Sequence, residues 1–334
     1  MNLDSEQKQV LDYALSKKNC CVIGAPGTGK TEIFNALGED LNCSAAFLPF
    51  TRAARKELVD RLSNDFEICG VKGKLLPSNL EVKTVNSFCQ SYLSGFNGYD
   101  EQLTDFLKLK VKPSFSLVGI DEVQDNRPVH FKVAKSVMQD WIFAGGDPHQ
   151  TIFTFGDAMG NSAFKELDEL GCKTFKLHNN YRSSPEIVSI LNELVHEDMV
   201  SKGPKTYNRS AVFTRTHQDL ANISLILERG GIPHIVRTQD YKDKIVLGGH
   251  NLFLMVTHAC KGLGFDTVYQ FDWDLPTWTD ANLEEEDNLL YVAIARASKN
   301  FFLVDGTNRN HCAIRLQGTK AKVLSRSEFF RRLV

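Results

Sequence analysis

The chain has no paired cysteine spacing, no export-type start, no apolar run near the roughly 20 residues that cross a bilayer, and no excess of either charge sign. Each absence excludes something. Eight cysteines scattered over 334 residues without a CxxC pair argue against a zinc ribbon or a disulfide framework. His258 and Cys260 sit close together but lack the second Cys/His cluster that a metal site needs. The opening Met1–Gln9 is polar and charged, unlike a signal peptide. Reduced thiols in a soluble, cytoplasmic protein without a membrane partner are expected. With 39 Lys and Arg against 41 Asp and Glu the net charge is −2, so any polyanion has to be held in a local basic groove and not by a bulk field.

What is present begins at Cys20–Thr31, CCVIGAPGTGKT. A strand-like run enters a GxxxxGK(S/T) loop, and a helical pattern follows. Gly24, Gly27 and Gly29 allow close backbone approach and unusual dihedrals, so the N–H groups along Ala25, Pro26-flanked Gly27, Thr28 and Gly29 can converge on phosphate oxygens. Lys30 then reaches the β/γ-phosphates, and the Thr31 hydroxyl is suited to Mg²⁺ at the positive end of a helix. The motif predicts a nucleotide site without saying what the nucleotide is used for.

The rest of the chain alternates strand and helix twice over. Strands are predicted at Cys20–Gly24, Ala45–Pro49, Leu80–Thr84, Ser116–Ile120, Trp141–Ala144 and Lys173–Leu177, with helices at Thr31–Asp40 and Thr51–Leu62. A second series follows: helices at Pro185–Val195, His217–Arg229 and Glu284–Ala297, and strands at Ala211–Thr214, Ile232–Val236, Leu252–Val256, Thr267–Phe271 and Phe301–Val304. This is the signature of parallel sheets with helices on both faces. With 42% hydrophobic residues there is material for two cores, and a junction near residues 176–180 divides the chain into 1–177 and 178–334. Ser325 and Glu328 have capping-box spacing ahead of a short closing helix.

A second site element is Leu117–Asp125, LVGIDEVQD. An apolar strand that ends in adjacent carboxylates fits a Walker B element, with Asp121 on Mg²⁺ and Glu122 orienting and deprotonating the attacking water. The upstream phosphate loop and this strand support each other.

Further motifs resemble, in order and over nearly the whole length, those of the UvrD/Rep/PcrA-type superfamily 1 helicases. Leu3–Gln7 resembles the N-terminal glutamine motif, Phe50–Ala54 the TFTxxAA motif and Thr84–Phe88 the TFHS motif. IDEVQD and GGDPHQTIF resemble motifs II and III, Asn180–Ser183 resembles NYRS, Thr257–Phe265 resembles THxxKGLEF, and Leu290–Ala297 resembles LxYVAxTRA. The resemblance implies an α/β fold of two RecA-like P-loop NTPase domains, the first binding ATP and Mg²⁺. It implies that Lys30, Thr31, Asp121, Glu122 and Gln150 contact the nucleotide from the first domain, and that Arg182 and Arg296 act as arginine fingers from the second. Gln7 and Tyr181 are implied as adenine contacts. Phe50, Thr51, Arg52, Asn86, Phe153, Phe155, Thr257 and His258 are implied along a single-strand groove, the aromatic faces stacking on bases.

The departures from that pattern are specific. Gly264 replaces the Glu of KGLEF, Asn86 replaces a usual His, His149 stands where an acid is common, and Gly156 where Arg is frequent. The intervals Tyr92–Phe115 and Ser183–Val256 are too short for large accessory domains, which points to a compact two-domain motor of a size that suits a virus or a mobile element. The resemblance implies ATP-driven 3′→5′ movement on single-stranded DNA or tailed duplex DNA, with strand separation in replication, repair or recombination and a protein partner from those processes. A translocase that displaces bound proteins and an ATP-switched binding module are the alternative readings.

Overall fold

The computed structural model describes residues 3–68, 71–95, 98–152, 158–237, 243–246, 251–274, 283–305 and 310–333. By its internal contacts the chain divides into two compact units. The first comprises Met1–Ala25 and Gly29–Leu177, and the second Pro26–Thr28 and His178–Val334. The three residues at the tip of the phosphate loop thus group with the second unit although their neighbours in sequence belong to the first.

The first unit contains strands β1 (Cys20–Gly24), β2 (Ala45–Leu48), β3 (Asn64–Ile68), β4 (Val71–Leu75), β5 (Leu80–Val82), β6 (Phe115–Ile120), β7 (Met138–Gly146) and β8 (Lys173–Leu177). Its helices are α1 (Ser5–Leu15), α2 (Lys30–Asp40), α3 (Arg52–Leu62), α4 (Val85–Gln90), α5 (Tyr99–Lys108), α6 (Pro128–Val137) and α7 (Asn161–Glu169). Six strands form one sheet in the order β5-β2-β6-β7-β1-β8, every neighbouring pair parallel. Because crossover helices cover both faces, central strands must be apolar on both sides. Leu117, Val118 and Ile120 of β6 are accordingly all buried. One core lies around Phe34, Phe47, Trp141 and Phe143, and another around Phe88, Phe106, Phe131 and Ile142. β3 and β4 pair antiparallel as a separate hairpin.

The second unit contains β9 (Asn179–Asn180), β10 (Val200–Ser201), β11 (Ser210–Thr214), β12 (His234–Arg237), β13 (Asp243–Val246), β14 (Leu252–Val256), β15 (Phe265–Phe271), β16 (Ala297–Val304) and β17 (Lys322–Leu324). Its helices are α8 (Pro185–Val195), α9 (His217–Arg229), α10 (Leu283–Ile294), α11 (His311–Arg315) and α12 (Arg326–Leu333). The main sheet runs β13-β12-β14-β11-β15-β16-β17 and is parallel except for the edge pair β12–β13. Its core includes Val212, Leu254, Tyr269, Phe302 and Phe329. Ser184 caps α8, accepting from the Ile187 N–H at 3.4 Å with Pro185 at the first helical position, where a missing N–H costs nothing. Ser325 and Glu328 form the reciprocal cap of α12, Ser325 N–H donating to Glu328 Oε2 at 2.8 Å and Glu328 N–H to Ser325 Oγ at 3.3 Å. The α/β fold with two mostly parallel sheets is the one the strand pattern implies.

Candidate nucleotide and nucleic-acid sites

Three loops at the carboxyl ends of β1, β6 and β7 carry the polar residues of the first unit. In a parallel sheet this is the edge where ligands bind, because helix N-termini and strand ends face it together. The sheet order sets β7 between β1 and β6, so the phosphate-loop strand and the carboxylate strand flank a third strand that ends at Gly146.

Gly27 and Gly29 have φ of +93° and +88°, values that only glycine adopts without strain. A Cβ on Gly29 would run into Gln7 Nε2. Gly29 also opens α2 in the left-handed conformation with no side-chain cap, so the first-turn N–H groups remain available to an anion. Lys30 is buried, and its Nζ donates to the Gly24 carbonyl at 2.5 Å and the Ala25 carbonyl at 3.5 Å. An ammonium folded back onto its own loop donates to carbonyl acceptors that phosphate oxygens can replace. Gln7 is buried in the capping box of α1: its Oε1 accepts from the Asp4 N–H at 3.0 Å, and its N–H donates to Asp4 Oδ1 at 2.8 Å. Its amide nitrogen is thereby aimed at the loop.

Asp121 and Glu122 leave β6 in different environments. Asp121 is buried, and its Oδ1 accepts from the Glu122 N–H at 2.9 Å. Burial and then the neighbouring Glu122 carboxylate hold its pKa above the usual carboxylate range, and the Lys30 ammonium opposes both. A divalent cation would supply the missing positive charge. Glu122 has φ +51°, an uncommon setting for a non-glycine residue that costs on the order of 1–2 kcal/mol and turns the side chain sharply off the strand.

Glu122 is tied to Gln150 through two residues that motif reading alone did not single out. Gln124 Nε2 donates to Glu122 Oε2 at 2.6 Å, and Gln124 Oε1 accepts from the Asp147 N–H at 3.1 Å. Asp147 Oδ2 in turn accepts from Gln150 Nε2 at 3.1 Å, while its Oδ1 takes the His149 N–H at 3.0 Å. Burial raises the Asp147 pKa, opposed chiefly by Lys30. The signal for Gln124 and Asp147 was in the DEVQD and GGDPHQ strings, but their use as positioning residues depends on a fold that brings β6 and β7 side by side. Among the described residues no cluster of three or more His, Cys, Asp or Glu could hold a metal.

In the second unit Asn180 is fully buried. Its Nδ2 donates to the Pro26 carbonyl at 3.0 Å, and its Oδ1 accepts from the N–H groups of Arg182 and Ser183, both at 2.9 Å. Tyr181 N–H donates to the Gly27 carbonyl at 2.8 Å, and the residue is 40% exposed. A Cβ on Gly27 would come within 2.5 Å of Arg182 Cβ. Arg182 is therefore set against the loop tip, with Nη1 3.4 Å from the Ala295 carbonyl. Arg296 is only 2% exposed, donating from Nε to the Val292 carbonyl at 3.2 Å and from Nη1 to the Leu263 carbonyl at 3.3 Å.

Gly264 has a structural explanation within the same unit. A Cβ there would collide with the Tyr207 ring, and Arg209 Nε donates to the Gly264 carbonyl at 2.7 Å. The phenol of Tyr207 fills the volume that a side chain at 264 would take.

The expected strand contacts divide. Phe50, Arg52 and Asn86 line a common cavity, and Thr51 caps α3 by accepting the Ala54 N–H at 3.1 Å. Phe153 and Phe155 lie outside the described residues. Thr257 is fully buried, and its hydroxyl donates to the Thr214 carbonyl at 3.0 Å, which anchors the loop. His258 is held neutral, with its pKa pushed down to about 4 by burial and then by Arg215, while Glu286 opposes. Arg215 grips Glu286 with Nη2 at 2.6 Å and Nε at 3.1 Å, and Trp273 Nε1 donates to the same carboxylate at 2.9 Å. Among the described residues no helix is long and apolar enough to cross a membrane.

Comparison with known proteins agrees with these motifs. Residues 7–156 match the model of an AAA domain, and residues 239–306 match the UvrD-like helicase C-terminal domain. A search of curated proteins by sequence returned no match. Among solved structures, the chain is similar to arterivirus nonstructural protein 10, described as a helicase, with a TM-score of 0.50 and 17% identity over 89% of this chain and 61% of that one. The complex of that helicase with DNA gives a TM-score of 0.50 and 17% identity over 90% and 63%. A structure describing DNA unwinding at forked duplex DNA by two Pif1 helicases gives 0.49 and 14% identity over 100% and 94%. The chain spans about three fifths of the length of the arterivirus proteins. An AAA match containing the phosphate loop and the β6 carboxylates, followed by a match to the UvrD-like helicase C-terminal domain, supports a UvrD-like helicase.

Proposed function

We propose that the chain is an ATP-driven motor on single-stranded DNA that moves 3′→5′ and separates strands of tailed duplexes. The observation that carries this reading is the hydrogen-bonded series Glu122–Gln124–Asp147–Gln150 beside Lys30. A nucleotide-binding switch has no use for a carboxylate held in a strained backbone setting and tied to a glutamine on the next strand, whereas a hydrolase needs its water-activating base fixed before the reaction.

Magnesium-bound ATP, when present, supplies the phosphoryl group that is transferred to water. Lys30 and the loop N–H groups would hold its phosphates, and Thr31 and Asp121 its cation. Glu122 would orient the attacking water and accept its proton, with Gln150 keeping that carboxylate's network in register. Arg182 and Arg296 would neutralise charge developing on the transferred group. Tyr181, exposed and beside the loop tip, would stack on the base, and Gln7 would bond to it. Phe50, Arg52, Asn86 and His258 would line the path of the strand.

The direct test is strand displacement from duplexes that carry either a 3′ or a 5′ single-stranded tail. ATP-dependent displacement confined to the 3′-tailed substrate is expected. Displacement confined to the 5′ tail overturns the direction, and ATP hydrolysis that is indifferent to DNA overturns the motor.

A further inference from the structure

Resting on that reading, we propose that Tyr99, on helix α5, forms with Phe50 a seat for one nucleobase of the bound single strand, with side-chain amides and hydroxyls facing the edge of the base. A cavity of about 430 Å³ opens between α3, α4 and α5, lined by Phe50, Arg52, Asn86, Gln90, Tyr99 and Gln102 together with Thr84 and Ser87. That volume falls within the roughly 300–1,000 Å³ of small-ligand clefts.

The way α5 is anchored explains why Tyr99 is presented. Leu103 and Phe106 are buried, and the Phe106 ring packs against Phe88 at 5.8 Å and Tyr92 at 5.3 Å. The Asp100 carboxylate pairs with Arg127 at the start of α6, and Asn86 Nδ2 donates to the Tyr99 carbonyl at 3.2 Å. The helix is fixed at its buried face and first turn, yet Tyr99 stays 58% exposed. An exposed aromatic on a rigid mount is what stacking on a base requires, since little ordering entropy is then lost.

The polar lining identifies the ligand class. Gln102 is only 2% exposed; its Nε2 donates to Gln90 Oε1, and Gln90 Nε2 donates to the Gly95 carbonyl at 3.3 Å. Amides and hydroxyls without a carboxylate suit a neutral heteroaromatic edge. Arg52 is exposed and supplies the single cation of the lining, which suits the phosphate attached to that base. Phe50, Arg52 and Asn86 come from two motifs, whereas Tyr99, Gln90 and Gln102 come from stretches that no motif covers.

The test uses the full chain and fluorescein-labelled thymidine oligonucleotides, each with one abasic position moved stepwise along the strand. Loss of one stacked base at about 1–3 kcal/mol corresponds to a roughly 5- to 150-fold weaker Kd. Tyr99→Ala is expected to show that loss with an unchanged melting temperature, and Tyr99→Phe to bind within about threefold of the parent. One abasic position is expected to reproduce the loss in the parent and add nothing in Tyr99→Ala, because both remove the same contact. Arg52→Ala is expected to lower the salt dependence by about one counterion, whereas Tyr99→Ala leaves it unchanged. Parent-like affinity of Tyr99→Ala, or losses that add at every abasic position, overturns the pocket. A parent chain that binds none of these oligonucleotides overturns the motor reading itself.

Discussion

Replacing Gly27 by alanine puts a methyl group where the backbone has φ +93° and where Arg182 Cβ would lie 2.5 Å away and Asn180 Oδ1 3.1 Å away. Two costs separate. The left-handed backbone costs a non-glycine residue about 1–2 kcal/mol. Crowding adds about 1–3 kcal/mol, because Arg182 Cβ is attached to the backbone and cannot swing aside as the end of a flexible side chain would. Gly318 supplies the control, with φ +83° and nothing within 4 Å of the methyl carbon an alanine would add, so Gly318→Ala carries the first cost alone. For a unit of this size, differential scanning calorimetry should lower the melting temperature of the second unit by about 5 °C in Gly318→Ala and about 10 °C in Gly27→Ala. The bonds from Asn180 Nδ2 to the Pro26 carbonyl and from Tyr181 N–H to the Gly27 carbonyl would be displaced with the loop tip, so ATP affinity should fall in Gly27→Ala and not in Gly318→Ala. Equal melting shifts for the two variants would refute the packing argument.

Three further outcomes are expected. Glu122→Gln keeps an acceptor for Gln124 Nε2 and removes the base, so steady-state ATP hydrolysis should drop about 10²- to 10⁴-fold while fluorescent-ATP binding is retained; loss of binding would count against a catalytic role. Arg296→Ala should slow hydrolysis by about 10³- to 10⁵-fold in single-turnover measurements with ATP affinity little changed, and a change confined to KM would contradict that assignment. His130 is held neutral, its pKa pushed from 6.5 down to about 4 by burial and then by Arg127, against Asp100, and its Nδ1 accepts the Arg127 N–H at 3.3 Å. Because the folded pKa lies below the unfolded one, this stability is fully present above pH 6.5 and is lost as pH falls toward 4. Urea titrations should show about 2 kcal/mol of His130-dependent loss between pH 7.5 and pH 5, absent in His130→Gln; an identical pH slope in the variant would contradict it.

Much of the fold could be read from local pattern. The strands Cys20–Gly24, Lys173–Leu177 and Leu252–Val256 and the helices Pro185–Val195 and His217–Arg229 have the predicted bounds, because apolar runs buried on both faces and well-capped helices leave little ambiguity. Strand ends were harder where a run continues into polar residues, as in β7, which starts three residues before Trp141 with an exposed Gln139 and Asp140. The β3–β4 hairpin and the antiparallel edge strand Asp243–Val246 were missed, since short polar strands carry neither strong period. At the site, phosphate-binding and carboxylate residues announce themselves because their chemistry is concentrated in short strings. Tyr99 does not, because its exposure follows from Leu103, Phe106 and Arg127 rather than from its neighbours in sequence. Tyr207 over Gly264 is the same case: a missing side chain 57 residues away is explicable only once β15 and the segment before β11 lie together. Thr257 shows the limit of a motif position, which says nothing about the Thr214 carbonyl that takes its hydroxyl.

The central claim is that hydrolysis at Lys30 depends on a bound strand. Steady-state phosphate release by the full chain with magnesium-ATP, measured with and without a long thymidine oligonucleotide, tests it most directly. The account predicts strong stimulation by the oligonucleotide and its disappearance in Lys30→Ala, with the circular dichroism spectrum unchanged. Unstimulated turnover in the parent, or parent-like turnover in a folded Lys30→Ala variant, would contradict it.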